Sequence, residues 1–262
     1  MTDAIPVAAA WRALHLAAKF LDDVEDGDEI ILNDRTISSP VAINIGTGFI
    51  AIANIALMQW LDSTPPKEDI RALLGAEFNR TILQMAAGQH ADIDQPALPD
   101  LKAYREVMAS KSGNFFLLGA WAGARCATKD EEQLSHYEAF GYNLGMMLQL
   151  NDDLKDFRQT GKGGDIASRH HTFPIFYALS VASPLERERL LTLLERASAD
   201  VKAEMEAKSL VRTLGGEIYL LAETMRYRRR AMSALDSIKM PQERREVFSR
   251  YLTWLSLHPS PE

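Results

Sequence analysis

Two acidic clusters in this chain share one spacing. Asp22-Asp23-Val24-Glu25-Asp26 and Asp152-Asp153-Leu154-Lys155-Asp156 both read D-D-x-x-D. On a helix, residues i and i+4 share a face, so Asp22 aligns with Asp26 and Asp152 with Asp156. Crowded carboxylates repel one another unless a cation compensates. Mg²⁺ is the natural cation, being hard, oxygen-seeking and ready to take phosphate oxygens as further ligands. One such cluster is equally well explained as a solvated helix end. Two in the same register, each behind apolar sequence (Phe20-Leu21; Met146-Met147-Leu148), point instead to metal-assisted chemistry on a phosphorylated substrate. Asp22, Asp23, Asp26, Asp152, Asp153 and Asp156 are the candidate catalytic residues. Asp22, Asp26, Asp152 and Asp156 are the expected metal ligands, facing one another across a single cavity.

The elements that must carry these groups read as helices. Pro65-Pro66 before Glu68-Asp69, Pro184 before Glu186 and Pro241 before Glu243 look like helix starts, with proline early and acids near the positive dipole end. Apolar residues recur at three-four spacing, as in Leu101, Tyr104, Val107 and Met108. The spacing predicts about nine helices, roughly 6–26, 38–61, 66–90, 100–127, 131–158, 172–182, 185–205, 208–235 and 242–256. Alternating strands are absent, so the chain reads as one all-α domain over residues 1–262.

Composition narrows the function. Of 262 residues 47% are hydrophobic and 25% charged, with a net charge of −7, so no basic footprint suggests nucleic acid. The single Cys126 can form no internal disulfide, and the N-terminal sequence lacks a signal-peptide pattern, which together fit the cytoplasm. The stretch from Thr36 to Trp60 has no charged residue and is long enough to span a membrane. Asn44, Thr47, Asn54 and Gln59 interrupt it, so a helix buried on all sides is expected there. Within it, Gly46-Thr47-Gly48-Phe49-Ile50-Ala51 imitates a dinucleotide-binding turn, but no alternating strands supply the βαβ context.

The order of further motifs resembles the trans-isoprenyl diphosphate synthases over about residues 11–182. His15 with Asp22-Asp23-x-x-Asp26 resembles the family's first aspartate-rich motif, and Gln149 with Asp152-Asp153-x-x-Asp156 its second. Gly88-Gln89 with Asp92, Lys111-Ser112-Gly113, Gly161-Lys162, Gly164-Asp165 and Thr172-x-Pro174 match other family segments in order. The resemblance implies an isoprenoid-synthase fold around a central cavity, up to three Mg²⁺ ions, an allylic isoprenyl diphosphate substrate and a homodimer. It also implies substrate contacts by Gln89, Lys111, Ser112, Gln149, Lys162, Arg169 and His170. Ala17 and Ala18, one turn before the first motif, would leave the floor of the prenyl cavity open. His15 reads better as structural than as catalytic.

Departures from the family pattern concern the second substrate. Before Asp22 the only basic residues are Arg12 and Lys19, and the paired arginines expected after the first motif have only Arg35 as a candidate. His170 stands where a lysine is expected. Features for the allylic donor persist while those for isopentenyl diphosphate are missing. The expected activity is therefore prenyl transfer to an acceptor that need not be isopentenyl diphosphate. A class I terpene cyclase and a silent subunit of a heteromeric synthase are the alternatives. A lipid substrate would also bring the protein to a membrane surface without a transmembrane span.

Overall fold

The computed structural model describes residues 4–63, 68–94, 100–161, 164–168 and 170–257. It is all-α save for a two-residue antiparallel ladder, Ile31–Leu32 (β1) with Arg35–Thr36 (β2), closed by Asn33 and Asp34 at positive φ. The chain divides into two compact units, residues 1–83 with 118–135, and residues 84–117 with 136–262.

In the first unit, α1 (Ile5–Glu25) buries Val7, Ala10, Leu14, Ala17 and Phe20, a three-four pattern that turns one stripe inward. Gly27, at φ 72°, takes the left-handed conformation just past the helix end. Phe20 packs with Ile30 of the hairpin and Ala42 of α2 (Ser39–Ser63). A Cβ at Gly46 would sit 2.9 Å from Leu21 and 3.3 Å from the Ala17 carbonyl, so glycine lets α2 press against α1. α2 is not buried on all sides as expected: only 22% of its apolar window is buried, and Val41, Ile43, Ile52, Ile55 and Met58 are exposed. The sequence shows that a stretch is apolar, not what covers it.

α3 (Glu68–Ile93) leads into the second unit. There α4 (Leu101–Met108) runs through a π-helical turn, Ala109–Gly113, into α5 (Asn114–Arg125). Asp100 caps α4 by accepting from the Ala103 N–H at 2.9 Å. α6 (Glu131–Arg158), the short α7 (Asp165–Ser168) and α8 (Phe173–Val181) follow. The spacing predicts three helices between 185 and 256; the structure has four, α9 (Pro184–Ala197), α10 (Val201–Thr213), α11 (Gly216–Ser237) and α12 (Gln242–Leu257). The extra break comes from Asp200, whose carboxylate accepts from the Lys202 and Ala203 N–H groups and starts a new helix. Gly215, at φ 87°, starts the next.

Candidate active site

The first motif occupies the last turn of α1. Asp22 and Asp23 are half-buried and Asp26 is exposed at the C-cap, where its N–H bonds the Asp22 carbonyl. No basic residue lies in that last turn, so the negative end of the helix dipole adds to the carboxylate repulsion. Lys19 reaches Asp23 at 3.1 Å, one turn back, which neutralises that side chain locally. Partial burial pushes the Asp23 carboxyl up, against the pull of Lys19. His15 stacks on Trp11 with ring centroids 5.7 Å apart and contacts Arg12, and burial lowers its pKa, which suits a packing role. Ala17 is buried where α1 meets α2, and Ala18 is half-buried.

In the second unit three elements converge through glycines. A Cβ at Gly88 of α3 would lie 2.7 Å from Ser110, and one at Gly145 of α6 would lie 2.4 Å from the Ser112 carbonyl. Both helices can therefore approach the π turn closely. That turn holds Lys111 and Ser112. π turns interrupt α-helices mostly at functional positions, because the extra residue re-aims side chains.

Lys111 Nζ pairs with Asp92 Oδ2 at 2.5 Å, and His170 Nε2 lies 3.2 Å from Asp92 Oδ1. Burial would raise the Asp92 carboxyl, but the His170 hydrogen bond and the Lys111 charge outweigh it and hold it well below the usual carboxylate range. Ser112 donates to Gln149 at 2.7 Å, and Gln149 Nε2 donates to Asp153 at 3.2 Å. Asp153 is fully enclosed and also accepts from Tyr104 Oη at 3.0 Å and the Phe173 N–H at 3.2 Å. Burial pushes its carboxyl up to about 7, despite these three donors. Asp165 is likewise raised by burial and accepts from Thr172 Oγ1 at 2.5 Å.

The two carboxylates that flank Asp153 behave differently. Asp152 is exposed and Asp156 half-buried, one turn apart on α6. Asp153 thus faces the protein while its neighbours in the motif retain access to solvent. Among the described residues, no three His, Cys, Asp or Glu side chains gather closely enough to hold a metal alone. Two hard carboxylates per motif nevertheless fit Mg²⁺, which keeps several waters and completes its shell with substrate phosphates.

The family model for polyprenyl synthetase matches residues 1–211. The chain belongs to the polyprenyl synthetase family. It is 28% identical over 257 residues to a short chain isoprenyl diphosphate synthase of Methanothermobacter thermautotrophicus, covering 94% of this chain and 74% of that protein. It is 31% identical over 227 residues to a geranylgeranyl diphosphate synthase of Mycobacterium tuberculosis, covering 82% of this chain and 63% of that one. The crystal structure of geranylgeranyl pyrophosphate synthetase from Pyrococcus horikoshii superposes with a TM-score of 0.83 at 22% identity, covering 100% of this chain and 80% of that chain. The all-α fold is shared with it.

Within this polyprenyl synthetase chain, the second unit gathers two polar groups, Lys111 and His170 on Asp92, and Ser112, Gln149 and Asp153 in a chain, adjoining through the neighbouring residues Lys111 and Ser112. Gln89 stays apart from it: its Nε2 is buried with no hydrogen-bond partner among the described residues. Lys162 and Arg169 lie outside the described residues. Tyr104, which the sequence presents as a core residue at helical spacing, turns out to anchor Asp153 across 49 positions of chain. Glu204 and Lys208 were also missed. Lys208, 7% exposed, donates to the Gln159 carbonyl, Thr160 Oγ1 and Glu204. Glu204 accepts from the Gly161 N–H at 3.1 Å. Together they hold the chain where it leaves α6, one residue past its last turn. The predicted helices 185–205 and 208–235 put Glu204 and Lys208 on either side of a break, and only the continuous α10 brings them into i,i+4 register.

Proposed function

We propose that this chain is a Mg²⁺-dependent prenyltransferase that ionises an allylic isoprenyl diphosphate and passes the prenyl group to an acceptor. The observation that carries the reading is the split within the second motif: Asp153 turned inward and held by three donors, Asp152 exposed and Asp156 half-buried one turn apart. Bound Mg²⁺ would supply positive charge where the leaving diphosphate becomes more negative. Asp22, Asp26, Asp152 and Asp156 are the residues proposed, from the two motifs, to act as ligands to up to three such ions. Lys111, aimed by Asp92 and the π turn, donates to a diphosphate oxygen and offsets its developing charge. Ser112 and Gln149 keep the fixed donor and acceptor pattern beside it. Lys162 and Arg169 are proposed as further diphosphate donors on the strength of the family motif alone.

Support for an acceptor other than isopentenyl diphosphate comes from the sequence: Arg35 is the one candidate for the paired arginines that the family pattern has after the first motif. Within the second unit, His170 takes its place beside Asp92 where the family pattern has a lysine. The exposed apolar side of α2 is proposed to be covered by a second copy of the chain in a homodimer, since Asn44 and Thr47 on the same helix ill suit lipid. A cytoplasmic location follows from the same reading.

Incubation with Mg²⁺ and farnesyl or geranylgeranyl diphosphate, with and without isopentenyl diphosphate, tests the proposal. The expected result is pyrophosphate release that needs a separate acceptor and stops in Asp22→Ala and Asp152→Ala. Longer diphosphates would identify isopentenyl diphosphate as the acceptor, and a released hydrocarbon would identify a cyclase. Full turnover in both variants would reject the assigned carboxylates, and no turnover by wild type with any acceptor would favour a silent subunit.

A further inference from the structure

Helices α11 and α12 share a surface that the proposed chemistry does not use. α12 buries Leu252 and Leu255 against the body of its unit, and Asn151 of α6 donates to the Leu255 carbonyl at 3.0 Å. Flanking that buried side, Val247, Tyr251 and Trp254 recur at helical spacing, each 40–57% exposed, while Phe248 packs edge-on against Phe140 of α6. Tyr251 and Trp254 stack with centroids 6.1 Å apart. α11 contributes Leu221 and Met225, exposed on the side from which Arg228 reaches Thr253 of α12 at 2.9 Å. The two apolar stripes therefore adjoin.

Charge on this surface runs against the rest of the chain. Residues 226–250 contain eight Arg or Lys and three Asp or Glu, in a protein of net charge −7. Arg226 is taken up by Glu223, and Arg245 by the carbonyls of Leu235, Asp236 and Ile238. Arg229, Arg244 and Arg250 are exposed. Arg244 lies one turn before Val247, and Arg250 one turn before Trp254, so cations border the aromatic stripe, although Glu243 and Glu246 on the same helix are also exposed.

We propose that the α11–α12 face docks on an anionic lipid bilayer. Tyr and Trp rings settle at headgroup depth, where one edge is apolar and the other wet, and bordering arginines meet lipid phosphates. The chain's overall negative charge opposes this only weakly, because charges more than about 10 Å away are screened. This docking is independent of the proposed catalysis and needs no substrate.

Co-sedimentation of the full chain with vesicles tests it. One set is phosphatidylcholine alone, and the other includes phosphatidylglycerol. Wild type should pellet with the anionic vesicles at about 0.1 M salt, where that screening holds, and be released at about 1 M. Each exposed arginine contributes about five-fold to partitioning, so Arg244→Ala with Arg250→Ala should weaken binding about 25-fold. Tyr251→Ser with Trp254→Ser should weaken it too, whereas Arg189→Ala on α9 should leave it unchanged. Circular dichroism checks that each variant is folded, and the arginine pair decides the matter if the aromatic pair is not. Absence of binding, equal binding to both vesicle types, or wild-type binding in the arginine pair would overturn the proposal. So would a wild-type oligomer in sedimentation that the aromatic pair dissociates, which would make this face a protein interface.

Discussion

Asp92 is the carboxylate that Lys111 and His170 share, and replacing it with asparagine keeps its shape while removing its charge. In the wild type the carboxylate is buried, 2.5 Å from Lys111 Nζ and 3.2 Å from His170 Nε2. The Asp92→Asn change would leave a mostly buried lysine without its counter-ion. Breaking a buried pair from one side costs about 3–5 kcal/mol, which for a chain of this size lowers Tm by roughly 6–20 °C. Substituting both partners, Asp92→Asn with Lys111→Met, removes the stranded charge and should recover much of the loss. The pH dependence has a definite sign. Because folding holds the Asp92 carboxyl below its ordinary value of 3.8, its contribution is complete above about pH 4 and disappears as pH falls through the depressed folded pKa. The gap between melting curves of wild type and Asp92→Asn should therefore close as pH falls below about 4. A single variant within about 2 °C of wild type at pH 7, or a gap that stays undiminished at the lowest pH at which the protein is folded, would refute this account of the pair.

Three other perturbations follow from the packing. Lys208→Met strands the buried Glu204 and frees the Gln159 carbonyl, so Tm should fall by roughly 6–20 °C, while Glu204→Leu with Lys208→Met should recover only part of the loss by calorimetry, because the Gln159 carbonyl and the Gly161 N–H both lose their partners. Gly145→Ala puts a methyl 2.4 Å from the Ser112 carbonyl and must displace the π turn, costing at least about 1–3 kcal/mol in urea unfolding and weakening diphosphate binding as Lys111 moves. Ala17→Phe overfills the contact between α1 and α2 and should destabilise by about 1–3 kcal/mol; unchanged stability with a shortened allylic substrate would place Ala17 in the prenyl cavity instead.

The sequence was most legible where one physical rule acts alone. Three-four periodicity located α1 and α4, and i,i+4 spacing put Asp22 with Asp26 and Asp152 with Asp156. The close approaches at Gly88 and the K-S-G segment were visible as motifs, though not their reason. Legibility failed where partners are distant in the chain. Nothing local distinguishes Asp153 from Asp152, yet Tyr104 and Phe173 bury one and leave the other open. Asp200 and Gly215 divided what looked like continuous helix, because a cap and a left-handed residue can override an amphipathic pattern that continues past them. The exposure of α2 was invisible for a third reason: hydropathy records what a stretch would prefer and carries no information about its surroundings.

The π turn has a consequence for how this chain tolerates change in length. An α-helix advances about 100° per residue, so one surplus residue in a turn shifts the phase of everything downstream. Residues 101–108 and 114–125 are each in register with their own neighbours only because the surplus is absorbed at 109–113. Deleting any one of those five residues would let the segment close into a regular helix. Leu118 and Ala122, now buried, would then rotate by about a quarter turn out of their packing. The helix from 101 to 125 is thus two rulers joined at an offset, and the offset, more than any single side chain there, is what a deletion would erase.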